Sequence, residues 1–124
     1  MMHPNKKPVY LSDKDLKELN IRPSEVANAI ESALIAKANG KLHTAPKSAI
    51  LPGDGRYAMS TLAVGDDGFI VTKQVTVCPK NPENGLPAIN GAIMVLDAQT
   101  GILQAILDAN WITAVRTAAL SAVA

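Results

Sequence analysis

Apolar positions change their period along the chain, and the changes divide it into a helical start, a strand-rich middle and a helical end. After a short apolar entry at Val9-Tyr10-Leu11, the run Ser12-Asp13-Lys14-Asp15 sets an acid three residues after a hydroxyl, the spacing of a capping box. It predicts a short helix from Asp13 to Leu19. Pro23 suits a first helical position, and Val26, Ile30, Ala33, Leu34 and Ala38 recur at spacings of three and four until Gly40 ends the helix.

From His43 the pattern becomes short β-type runs separated by turn residues. Strands are expected over Ala45 to Leu51, Arg56 to Val64, Phe69 to Val77, Ala88 to Ala98 and Ile102 to Leu107. The connections are Pro52-Gly53-Asp54-Gly55, Gly65-Asp66-Asp67-Gly68, a polar loop from Pro79 to Gly85, and Gln99-Thr100-Gly101. From about Asn110 to Ala124 the period is helical again, with Ile112, Val115, Ala119 and Val123 on one face. No Gly, Asn or Pro closes this helix, so the pattern reads as a chain cut off within it. The fold class expected is α+β, in one domain over residues 1–124: N-terminal helices, an antiparallel β meander and a truncated final helix.

Composition narrows the function. Four aromatic residues, Tyr10, Tyr57, Phe69 and Trp111, leave little for base stacking, and a net charge of +1 without a basic block beyond Lys6-Lys7 gives no footprint for nucleic acid or an anionic membrane. Cys78 is the sole cysteine, which excludes an internal disulfide. The start shows neither a signal peptide nor a membrane span, so a cytoplasmic protein is expected, with a small molecule or a second copy as its partner.

Four cations sit in or beside β-runs or apolar helix: Lys47, Arg56, Lys73 and Arg116. For each alone, a stem lying along apolar surface with its head in water is the default. Together they can cradle a carboxylate, Arg by its planar fork and Lys as a point charge. Lys73 is the most suggestive, because alternation in Phe69-Ile70-Val71-Thr72-Lys73-Gln74-Val75 places it on the face of Phe69, Val71 and Val75, where a charge is costly unless paired or used. The loop Asn81 to Pro87 fits a rigid turn, and Asp97 and Asp108 fit strand-end or capping roles. His3, His43 and Cys78 have no metal-ligand spacing, and Gly53-Asp54-Gly55 lies between strands and is no dinucleotide fingerprint.

The ordered string Gly53-Asp54-Gly55-Arg56-Tyr57-Ala58-Met59, Val71-Thr72-Lys73, Asn81-Pro82 through Gly85-Leu86-Pro87, Thr100-Gly101, Leu107-Asp108 and Thr113-Ala114-Val115-Arg116-Thr117-Ala118-Ala119 resembles the ornithine cyclodeaminase/mu-crystallin family. That family also includes an archaeal type of alanine dehydrogenase and several ketimine or cyclic-imine reductases. The resemblance implies a homodimer whose first domain supplies a dimerising sheet and a pocket for a substrate carboxylate, followed by an NAD(P)-binding Rossmann domain. No glycine-rich fingerprint stands in these residues, so NAD(P) is expected of the full-length family and no cofactor of this chain alone.

By motif, Lys73 resembles the family lysine that contacts substrate, and Arg116 the arginine that holds its carboxylate. Lys47 falls where cyclodeaminases carry arginine and alanine-dehydrogenase-like members carry lysine. With Arg56, taken as a further substrate contact, this favours an amino- or imino-acid oxidoreductase, for instance a pyrroline-carboxylate-type or ketimine reductase, with Lys73 and Lys47 as the catalytic candidates. The alternatives are an ornithine cyclodeaminase, which makes proline and ammonia from ornithine, and a non-catalytic dimerisation or small-ligand-binding module. On either reading the chain alone is expected to be inactive.

Overall fold

The computed structural model describes residues 7–66 and 68–123, so His3, Lys6 and Asp67 lie outside the described residues, as does the side chain of Val123. After strand β1 (Val9–Leu11), helix α1 (Asp13–Glu18) starts where the capping box requires. Ser12 Oγ accepts from the Asp15 amide at 3.1 Å and the Asp15 carboxylate accepts from the Ser12 amide at 2.9 Å. Helix α2 (Pro23–Ala38) has proline in its first turn and stops at Gly40, whose φ of 73° suits the left-handed end of a helix.

The strands that follow are β2 (Leu42–Thr44), β3 (Ser48–Ile50), β4 (Tyr57–Gly65), β5 (Phe69–Val77), β6 (Ile89–Asp97) and β7 (Leu103–Asp108), before helix α3 (Asn110–Val123). They form one seven-stranded sheet in the order β1-β7-β6-β5-β4-β2, with β3 also on β4. Two features differ from the expectation. The sheet is mixed, because the apolar entry joins it as β1, parallel to β7. The strand expected over Ala45 to Leu51 is shortened to β3, and β2, an additional strand before it, lies along the same edge of β4 on the other side of Pro46. Proline donates no ladder hydrogen bond, which confines it to such interruptions.

Alternation gives the sheet two faces. One carries Val75 and Ile93, both buried, and α3 lies over it. Gly91 of β6 permits this approach, because a Cβ there would stand 2.5 Å from the Gln74 carbonyl oxygen and 3.2 Å from Ala109 Cβ. Ala109, 1% exposed, donates its amide to Gly91 O at 3.0 Å. Helix α2 packs against α3. The opposite face is left open by the described helices at a row set by register, Tyr10, Ile106, Met94, Thr72 and Leu62, in which Tyr10 is 62%, Met94 42% and Leu62 45% exposed. No described helix is long and apolar enough to cross a membrane.

Candidate functional site: a three-cation cleft under α3

The site begins as a row across the helix-covered face. Register pairs Thr61 with Lys73 and Lys73 with Ile93, so Lys73 stands beside buried apolar surface on a central strand. The edge supplies the next member. Thr44 faces Ala63 and Ser48 faces Ser60, so four steps along the edge cover three on β4, which is a bulge of one residue at Ala45-Pro46-Lys47. The extra residue brings Lys47 beside Thr61, on the same side as Lys73. Both lysines line one cleft of about 320 Å³.

Helix α3 closes the cleft from above with Thr113 and, one turn later, Arg116. Its start is held by two carboxylates: Asp108 Oδ1 accepts from the Asn110 amide and Asp13 Oδ1 from the Trp111 amide, each at 2.8 Å. The first of these is the capping role expected of Asp108. The second ties α1 to α3, the helix that carries Arg116. Tyr57, Met59, Val75, Val77 and Ile89 make the remaining wall apolar.

No carboxylate lines this cleft, and among the described residues neither Lys47, Lys73 nor Arg116 forms an ion pair. Burial of the Lys73 ammonium pulls its pKa below the ordinary 10.5, and the like charges of Arg116 and then Lys47 depress it further. An anion entering here meets three cations with nothing to neutralise them. Lysine so placed gives up its proton more readily than one in water, and it regains basicity once an anion offsets its neighbours.

Arg56 is placed elsewhere. In the turn before β4 its Nε and Nη2 donate to Asp54 Oδ2 at 2.8 and 2.7 Å, both side chains largely exposed, and it does not line the cleft. The 3₁₀ turn Asn81–Asn84 is the rigid turn its prolines suggested, closed by Asn81 Nδ2 donating to Pro87 O at 3.0 Å. Asp97 accepts from the Thr100 and then the Gln99 amide, which lowers its pKa and closes the β6–β7 turn. His43 Nε2 meets Asp66 Oδ1 at 2.8 Å across the β2 edge, and no metal-binding cluster occurs among the described residues. Sequence reasoning did not single out Thr113, Met59 or Thr61, although their spacing from Arg116 and their register with β5 mark them as wall residues.

Glycines with positive φ among the described residues are Gly40, Gly53, Gly55, Gly85 and Gly101, and none lies in a strand-to-helix turn where backbone amides could hold a pyrophosphate. A depression of about 470 Å³ on the open face, around Thr72, Gln74 and Asn90, has no charged side chain.

Known proteins share this architecture. The chain is 34% identical over 120 residues to a nodulation efficiency protein of Rhizobium meliloti, covering 92% of this chain and 36% of that protein. It superposes on Δ1-pyrroline-2-carboxylate reductase of Thermococcus litoralis, solved with NADH and L-proline, with a TM-score of 0.85 at 30% identity, over 91% of this chain and 35% of the reductase. An archaeal alanine dehydrogenase dimer with bound NAD matches with a TM-score of 0.84 at 29% identity, over 91% of this chain and 34% of the enzyme. The chain thus spans about a third of the length of these relatives. With a family match over residues 6–124, the chain belongs to the ornithine cyclodeaminase/mu-crystallin family.

Proposed function

We propose that this chain is the substrate-carboxylate-binding part of an NAD(P)-dependent oxidoreductase of small amino or imino acids, with Lys73 and Arg116 holding the carboxylate and Lys47 placed to give or take a proton. The observation that carries the reading is the cleft under α3, in which three cations converge without a carboxylate. Arg116 offers a planar fork suited to a carboxylate, and Lys73 a point charge without an ion-pair partner among the described residues. The apolar wall of Val75, Val77 and Ile89 suits the carbon skeleton. Likeness to a pyrroline-carboxylate reductase and an alanine dehydrogenase supports the reaction class. NAD(P) would supply the hydride, and on this reading it is held by groups other than those described here.

Calorimetric titration of the chain with L-proline and pyruvate tests the proposal. Arg116→Ala and Lys73→Met are each expected to weaken binding roughly tenfold or more, the scale of one lost charge-assisted hydrogen bond. Arg56→Ala should change it less than about twofold, because its guanidinium is already engaged by Asp54. Equal losses for all three variants, or no binding by the unmodified chain, would contradict it.

A further inference from the structure

The row Lys47, Thr61, Lys73 borders a second cleft on its other side. Toward α2 it opens into a space of about 370 Å³ that these three residues share with Lys37, Thr44 and Ala45. Lys37 comes from the last turn of α2 and Thr44 ends β2. Together the clefts are lined by four cations and no carboxylate, and among the described residues none of the four is in an ion pair. One substrate carboxylate near Arg116 offsets one charge and leaves the α2 side unmatched.

We propose that the cleft beside α2 is a subsite for a second carboxylate, so that the site takes a short amino or imino dicarboxylate, its α-carboxylate at Arg116 and Lys73 and its distal carboxylate at Lys37, with the Thr44 hydroxyl as a further donor. The inference rests on the carboxylate-binding reading above and extends it by naming the second charge of the substrate. Lys47 and Lys73 are common to both clefts and join them. Lys37 is exposed, so its interaction is screened and its contribution is selectivity between substrates more than affinity.

Succinate and butyrate share a four-carbon chain and differ by one carboxylate, which makes them the probes. Titrated into the ¹⁵N-labelled chain, succinate is expected to bind about fivefold tighter than butyrate, the upper range for one exposed ion pair. It should shift the amides of Lys37 and Thr44 as well as those of Thr113 and Arg116, whereas butyrate shifts only the latter pair. Lys37→Gln should remove the preference and leave butyrate binding unchanged. Equal binding of the two acids, or a preference that survives Lys37→Gln, overturns the second subsite alone. Binding of neither acid overturns the parent reading together with it.

Discussion

Lys73 stands half-buried on a central strand with two like charges beside it, an arrangement that costs folding free energy and that packing alone does not call for. Its folded-state pKa is lowered, so between that value and the 10.5 of an unhindered lysine the unfolded chain holds the proton more tightly. Stability therefore rises with pH across that window, and below it the full cost is present. Lys73→Met is expected to stabilise the fold at neutral pH by roughly 0.5–1 kcal/mol, a figure discounted for partial exposure, and the gain should shrink as pH approaches 10. Urea titrations at neutral and alkaline pH check this; a gain that does not vary with pH would assign it to packing alone. Alternation made the position of Lys73 legible in the sequence, because a charge recurred among Phe69, Val71 and Val75. Arg56 was not legible in the same way. Its direction depends on Asp54 two residues away, a local ion pair that period two cannot reveal.

At the scale of elements, β5 and the starts of α1 and α2 were open to sequence reading, because capping, proline and strict alternation act within a few residues. The parallel pairing of β1 with β7 was not, since Val9–Leu11 and Leu103–Asp108 are far apart in the chain and three apolar residues do not state their partner. Nor was the bulge that turns Lys47 toward Lys73, which appears only when two registers on β4 are compared. The close approach at Gly91 and the Asp13 hydrogen bond are two of the contacts that hold α3 over the cleft. Gly91→Ala would push a methyl against the Gln74 carbonyl and Ala109, with an expected loss of roughly 1–3 kcal/mol by denaturant unfolding. Asp13→Ala removes the acceptor for the Trp111 amide, and about 1 kcal/mol of stability should go with it. Carboxylate affinity should fall too, because Arg116 rides on the same helix. Unchanged affinity would mean that α3 is positioned without α1.

For the whole molecule, apolar burial is concentrated in five described residues, Leu16, Val75, Ile93, Ala109 and Ala119, while the helix-free face of the sheet presents Tyr10, Leu62 and Met94 to solvent. Exposed apolar residues in a row on a sheet favour self-association, as the homodimer implied by the family resemblance would require. Sedimentation equilibrium should find a species of twice the chain's 13.0 kDa, and Met94→Glu should shift it toward monomer. A monomer at tens of micromolar would contradict that arrangement. The central claim, that the three-cation cleft is where a substrate carboxylate sits, is tested most directly by a crystal structure of the chain with L-proline. The carboxylate is expected about 3 Å from both Arg116 and Lys73, with the ring against Val75 and Ile89. L-proline ordered at Arg56, or on the open face of the sheet, would contradict it.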